Sequence, residues 1–377
     1  MASRTRTSRL WTHRRDGGRA GALSVALAVV LVACLLALTI AGREVRAPPA
    51  PMAAAVTFLP YLYAAVITVL SLAWVVFRDR WVLAASVVGL ITLAAAMWGP
   101  SWRGQPIAAE GVDVRVMSWN LRRLWGGPDD GGDARACAVR GIEGESPDVL
   151  TLLEVSQEDV DALASELQLE CVHHAYYENG GPRTGGLAAC VKRGGRWSLR
   201  NGKGLRYVDH ADWYYVFAEI ARGEAVFNLL AVHLSPYEYV AKKIRTSVEQ
   251  LGRGTPGTIV DLSRQGEDVV KGQADQSAAL LERVDKFRDP TVVAGDFNST
   301  RDTALHASLR TRLLDAWEVG GAGFGGTVQL FDRLPLRIDY VYVTEQFHVK
   351  ETRVLPLGCS DHHPVVTDLT LTGWTDE

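Results

Sequence analysis

Three long uncharged stretches near the N-terminus constrain this 377-residue chain more than any other feature. Ala20 to Gly42 has 23 residues without a charge. At 1.5 Å per residue, that is enough helix to cross a hydrocarbon core roughly 30 Å thick. Ala53 to Phe77 and Trp81 to Gly99 are also uncharged, and only Arg78, Asp79 and Arg80 separate them, so a tight helical hairpin is expected. Three membrane-spanning helices (20–42, 53–77 and 81–99) therefore follow a basic tail (1–19), with a Pro/Gly-bearing linker (100–111) and a separate domain (112–377) behind them. Pro60 lies inside the second stretch and predicts a kink.

A cleaved signal peptide is the alternative for the first stretch. Its apolar run exceeds the h-region of about 7 to 15 residues that such peptides carry, and no clear small-residue cleavage site precedes a soluble domain. Basic residues set the orientation. Arg4, Arg6, Arg9, Arg14, Arg15 and Arg19 crowd the tail, whereas only Arg43 and Arg46 precede the second stretch. The expected protein is multi-pass in the cell membrane, with a cytoplasmic N-terminus and an extracytoplasmic C-terminal domain.

The remainder reads differently. Gly111 to Glu377 holds 29 Lys and Arg against 39 Asp and Glu, a formal charge of −10, which opposes tight non-specific binding of polyanions. Cys137, Cys171, Cys190 and Cys359 lie there without CxxC spacing, which argues against zinc. They could form two disulfides, in any of three connectivities, or serve as buried apolar residues. Short β-branched runs alternate with helical patterns at Ala134 to Glu143, Glu158 to Leu167 and Gln273 to Phe287. Strands are expected at Leu187 to Lys192, Tyr214 to Ile220, Val226 to His233, Thr291 to Gly295, Ile338 to Thr344 and Val365 to Leu371. Many strands with few helices suggest two packed sheets with helices outside. The turn-rich connection from Ser235 to Gly272, with GRGTPG at 252–257, is long enough to border a site.

Polar groups that end apolar strands carry the chemical information, because burying them costs free energy unless they have partners or a task. Asn120 ends VMSWN, Glu154 follows LTLL, His233 ends LLAVH, and Asp296 and Asn298 lie in GDFN. Asp339 interrupts RIDYVYV, and Asp361 with His362 lies in CSDHHPV. Carboxylates, amides and imidazoles of this kind suit phosphoester hydrolysis, where a hard cation needs oxygen ligands and water needs a base. There is no GxxxxGK[ST] loop, no GxSxG elbow with triad spacing and no basic-aromatic nucleic-acid motif.

SWN at 118–120, PDVLTLLEV at 147–155, VHL at 232–234, GDFN at 295–298, RIDYV at 337–341 and SDHHPV at 360–365 form an ordered series. This series resembles that of the endonuclease/exonuclease/phosphatase (DNase I-like) superfamily. The resemblance implies an α/β fold, specifically a four-layer α/β sandwich with the site at one rim. It implies Mg²⁺ or Mn²⁺ as cofactor, with Glu154 as principal metal ligand, Asn120 ordering the metal shell and Asp361 as an outer or direct contact. It also gives His362 the role of base or phosphate contact, Asp339 that of fixing its tautomer, Asp296 that of competing base and Asn298 that of donor to the phosphoryl oxygens. His233 matches the DNase, sphingomyelinase and inositol-phosphatase branches, where an imidazole would meet the leaving oxygen, and differs from the tyrosine of the abasic-site endonucleases. Arg183 falls where many members place a phosphate-binding arginine, although the following CVKRG departs from the usual serine-arginine ending.

The expected function is membrane-anchored, metal-dependent hydrolysis of a phosphodiester or phosphomonoester outside the cytoplasm. The bilayer would be a partner through the three helices, and a small or lipid phosphoester would be favoured over nucleic acid. An extracellular endonuclease and a catalytically silent binding module on the same fold are the alternatives.

Overall fold

The computed structural model describes residues 13–78, 80–98, 110–122, 134–175, 185–207, 214–235, 257–330 and 333–374. Most of the basic tail, most of the linker, Arg183 and nearly all of GRGTPG lie outside these.

The N-terminal region is helical: α1 (His13–Glu44), α2 (Ala50–Thr57), α3 (Leu59–Phe77) and α4 (Arg80–Trp98). The expected span over 53–77 is two helices and not one. The chain breaks at Phe58 (φ −95°, ψ 11°), and Pro60 starts the next helix. Its ring has no N–H to bond back to Val56, so a continuous helix would lose a rung there. Two described helices, Val25–Glu44 and Leu59–Val76, are long and apolar enough to cross a membrane, not three. The described apolar part of α4, Arg80–Ala94, is shorter. At 1.5 Å per residue it covers about 22 Å of a core roughly 30 Å thick. Leu27, Val30, Ile40, Leu72, Val76, Val88 and Ile91 are exposed, so the helices turn a continuous apolar surface outward.

Among the described residues the C-terminal domain has fourteen strands: β1 (Gly111–Asn120), β2 (Val149–Leu153), β3 (Leu169–Ala175), β4 (Gly186–Lys192), β5 (Ser198–Arg206), β6 (Tyr214–Arg222), β7 (Ala225–His233), β8 (Thr291–Asp296), β9 (Leu314–Asp315), β10 (Val328–Leu330), β11 (Leu334–Leu336), β12 (Asp339–Val343), β13 (Phe347–Val354) and β14 (Val365–Thr372). One six-stranded sheet runs β13-β14-β1-β2-β4-β3, the other β5-β6-β7-β8-β12-β9, and β10-β11 form a small ribbon. The helices are α5 (Ala134–Glu145), α6 (Gln157–Leu167), α7 (Gly257–Lys286), α8 (Ala304–Leu309) and α9 (Ala316–Gly320).

Three apolar clusters account for the layering. Val112, Val114 and Val116 meet Phe227, Leu229 and Ala231 between the sheets. Met117 and Trp119, which point the other way along β1, pack with Ala138 and Ile142 of α5 and Leu163 of α6. Leu230, Val232 and Val293 pack with Leu280 of α7 and Leu305 of α8. The period-2 alternation of the strands thus separates the two faces of each sheet and yields helix, sheet, sheet, helix. This is the expected sandwich.

Two disulfides form, Cys137–Cys359 and Cys171–Cys190. The second joins directly opposed residues of β3 and β4. The first ties α5 to the loop that carries Asp361 and His362.

Candidate active site

Strand parity assembles the site. On β7, Leu229 and Ala231 face the inter-sheet core, so His233 does too. On β8, Val292 and Ala294 place Asp296 on that face, and on β12, Val341 and Val343 place Asp339 there. The register sets His233 opposite Asp296 and Asp339 opposite Asp296. Three neighbouring strand ends therefore deliver an imidazole and two carboxyls side by side. On the other sheet, Asn120 continues the inward series Val112, Val114 and Val116, next to Leu153 of β2.

Glu154 would point outward by simple alternation, because Leu153 faces the inter-sheet core. Its backbone is instead left-handed (φ 54°). A non-glycine residue rarely adopts that region, at a cost of about 1–3 kcal/mol, and here it turns the carboxylate into the cluster. Asn298 is left-handed as well (φ 46°). Glu154 is not the cap of α6, since Ser156 caps it through a reciprocal pair with Asp159. Gly295 carries φ 150°, and a Cβ there would lie 1.9 Å from the Val232 carbonyl oxygen, so only glycine admits this close passage of β8 along β7.

Asn120 Nδ2 donates to Glu154 Oε1 and to Asp296 Oδ2, both at 3.1 Å. His233 Nε2 lies 3.8 Å from Glu154 Oε1 and 3.7 Å from Asp296 Oδ2. Asn298 N donates to Asp296 Oδ1 at 2.8 Å, while its side-chain amide donates to the Leu234 carbonyl. His362 enters from the loop before β14. Its Nδ1 is 2.9 Å from Asp339 Oδ2, and its Nε2 is 3.8 Å from Asp296 Oδ2. Trp119 Nε1 donates to the His362 carbonyl, and Ser360 Oγ donates to the Asn120 carbonyl. Seven of the eight residues expected from the sequence thus converge. Asp361 turns aside to pair with Arg122 at 2.6 Å, and its side chain is 41% exposed. His363, expected to be incidental, bonds only the Leu357 carbonyl through its ring.

Electrostatics couple these groups. Burial lifts the Asp296 carboxyl well above the ordinary carboxylate range, and neighbouring Asp339 adds to this. His362 and the hydrogen bonds from Asn298 and Asn120 oppose the shift. Burial alone would depress the His362 imidazole, but Asp339 and Asp296 outweigh it and raise its pKa to about 10. The imidazolium is therefore the form at neutral pH.

The donor set fits a hard divalent cation. Glu154, Asp296 and Asp339 bring three carboxyls together, and the buried Asp339 Oδ1 has no hydrogen-bond partner among the described residues. One donor atom each from Asp296, Asp339 and His362 lies within 4.8 Å of the others, a spacing a metal could bridge.

The sequence did not single out several supporting residues. Thr327 is buried, and its hydroxyl accepts from the Ile338 and Asp339 amides, which pins the start of β12. Gln273 and Gln276 are buried on α7, where Gln273 Nε2 donates to the Ser235 and Asn298 carbonyls and Gln276 Oε1 accepts from Ser235 N. Two glutamines three residues apart on the apolar face of a helix were the available signal.

The endonuclease/exonuclease/phosphatase family model matches residues 117–362. The chain belongs to this family. Its members are hydrolases of phosphoester bonds. A family protein from Bacteroides thetaiotaomicron aligns over 71% of this chain and 98% of its own, with TM-score 0.52 and 16% identity. One from Bacteroides vulgatus aligns over 69% and 99%, with TM-score 0.50 and 18% identity. One from Leptotrichia buccalis aligns over 68% and 99%, with TM-score 0.50 and 14% identity. At these identities the likeness is one of fold. No curated protein matches the sequence.

Proposed function

We propose that this family member is a membrane-attached phosphoesterase that acts outside the cytoplasm with Mg²⁺ or Mn²⁺. The observation that carries the reading is the junction of partly buried Glu154 with Asp296, Asp339 and His362, a surplus of anionic oxygen that a divalent cation offsets. Glu154 is the better ligand, and Asn120, whose Nδ2 donates to Glu154 Oε1 and whose Oδ1 accepts from Arg122 N, orders it. Nδ1 of His362 is engaged by Asp339, and a protonated ring repels a cation. Bound there, the ion would polarise the phosphoryl group. His362 as imidazolium meets a non-bridging oxygen, Asn298 helps to orient the phosphoryl group, Asp296 takes the proton of the attacking water, and His233 faces the leaving oxygen. The raised pKa of Asp296 makes it a stronger base than an ordinary carboxylate.

Three features support the location. The exposed apolar surface of α1 and α3 suits a bilayer. Two disulfides suit an oxidising compartment. Arg43 at the end of α1 pairs with Asp302, and Tyr61 at the start of α3 donates to the Pro335 carbonyl, so the domain lies where α1 ends and α3 begins. With a cytoplasmic tail that side is outer. Protease added to spheroplasts is expected to remove the C-terminal domain and spare the N-terminal tail. Protection of the domain would reverse the orientation.

The acidic domain and the bilayer attachment favour a lipid-type or small phosphodiester over duplex DNA. The purified chain is expected to lose activity in excess chelator, to regain it with Mg²⁺ or Mn²⁺, and to cleave such substrates faster than DNA at equal phosphorus. Full activity in chelator would remove the metal from the reading. Plasmid nicking without turnover of any small or lipid phosphoester would favour a nuclease.

A further inference from the structure

The segment that follows Asn298 lies beneath the helical region. Ser299, Thr300 and Asp302 are all buried, although loops beside a catalytic rim are ordinarily solvated. At Asp302 the cover is the last turn of α1. Arg43 Nε donates to Asp302 Oδ1 at 3.1 Å and Nη2 donates to the same oxygen, so a guanidinium of the helical region satisfies a carboxylate that is 2% exposed. The backbones are as close as the side chains. A Cβ on Gly42 would lie 2.8 Å from the Asp302 carbonyl oxygen and 2.9 Å from Val56 Cγ2, so α1 rests on this segment with no room for a methyl group.

Asn298 begins the segment in the left-handed region (φ 46°), which a non-glycine residue keeps only where its surroundings over-determine it. Before it, Phe297 N donates to the Ile338 carbonyl and Asn298 N to Asp296 Oδ1. After it, Gln273 Nε2 donates to the Asn298 carbonyl, and Ser299 Oγ lies 3.0 Å from His306 Nε2. The chain then turns, with Thr303 N donating to the Thr300 carbonyl. The hydroxyls of Thr300 and Thr303 are buried and take no hydrogen bond among the described residues, so they do not hold the turn. Glu318 and Arg310 hold Arg301 from within the catalytic domain, through its side chain and its carbonyl respectively. Arg43 supplies the tie from outside that domain, four residues past Asn298.

We propose that Arg43 is a positioning residue for the catalytic turn: through Asp302 it fixes the segment that sets the Asn298 backbone, which makes the helical region a working part of the active site. The proposal rests on the phosphoryl-orienting role given to Asn298 above, and it is independent of the membrane reading.

The test uses the full-length chain in a neutral detergent. Arg43→Gln removes the charge and the forked contact, whereas Gly42→Ala keeps every polar group and lifts α1 off the segment by one methyl. Amide hydrogen exchange over residues 297–303 is expected to quicken about tenfold in both, with β1 and β14 unchanged. With Mg²⁺ and bis(para-nitrophenyl) phosphate, kcat is expected to fall about fivefold in each, and by about twofold or less when the same change is made in an Asn298→Ala chain, since residues on one path do not add. Arg43→Lys, which keeps the charge, is expected to recover part of the loss. Unchanged exchange at 297–303 in both variants overturns the positioning role, as does faster exchange throughout the domain, the mark of a purely structural contact. Equal kcat losses in the parent and Asn298→Ala chains overturn it too, while leaving the catalytic reading in place. Full kcat in Asn298→Ala alone instead removes Asn298 from that reading, and the path from Arg43 with it.

Discussion

Asp296→Asn and His362→Asn are each expected to lower kcat/KM on a phosphodiester by about 10² or more, the scale of a positioned acid or base. Asp296 sits 3.1 Å from Asn120 Nδ2 and 3.8 Å from His362 Nε2, so it touches both halves of the cluster. At position 296 the amide keeps the shape of the side chain but accepts only one of the two hydrogen bonds that Asn298 N and Asn120 Nδ2 donate, and it cannot take a proton. A companion variant separates proton transfer from packing. Asp339→Asn removes the carboxylate that does most to lift His362 towards about 10. The imidazole pKa then falls, and less imidazolium remains as pH rises. The alkaline limb of the rate profile is expected to move to lower pH, and the acidic limb, set by Asp296, which Asp339 also raises, moves to lower pH with it. Small losses at both Asp296 and His362 would mean that the reacting centre lies elsewhere. An alkaline limb unmoved by Asp339→Asn would show that a protonated His362 is not needed.

The second large effect is expected from the disulfide between Cys137 and Cys359, which closes a sequence separation of 222 residues. On the chain-entropy account, removing it costs about 3–5 kcal/mol. Cys359 is buried and stands three residues before His362, so the bridge also anchors the histidine loop to α5. The Cys137→Ser/Cys359→Ser variant is expected to denature at lower guanidinium concentration and to lose activity before it unfolds. Removing Cys171–Cys190 is expected to cost less. Its separation is only 19 residues, and β3 and β4 are already held by their ladder. Guanidinium titrations followed by both fluorescence and turnover separate the cases. Equal activity loss in the two variants would remove the anchoring role.

The catalytic face was legible because a strand that must bury alternate residues tolerates a polar one only at its end. Asn120, His233, Asp296 and Asp339 all obey that rule, and their parity brings them together. Glu154 breaks it, and only its left-handed backbone explains how it joins them. Asp361 was expected to face the metal, yet Arg122, just past β1, draws it outward. No spacing in the sequence reports that pairing. β5, with SLRNGKGLR, is a sheet edge with little to bury and so lacked an apolar pattern. The helix break at Phe58 followed from Pro60, whereas the short apolar part of α4 did not follow from the absence of charge over 81–99.

The pairing of Arg43 with Asp302 changes what kind of tether the proposed membrane helices would be. A free linker as long as Pro100 to Gly111 would let a domain roam about 40 Å from its anchor. Asp302 is only 2% exposed, and α1 ends directly on it, so the domain is mounted and not leashed. On the membrane reading proposed above, a mounted enzyme cannot reach into the surrounding space, and its encounters are confined to one stratum. Molecules that diffuse within that stratum meet the rim at a rate set by their density per area, whereas bulk solutes of equal abundance meet it far less often. Selectivity in the cell then comes partly from elevation, before any side chain has touched a substrate.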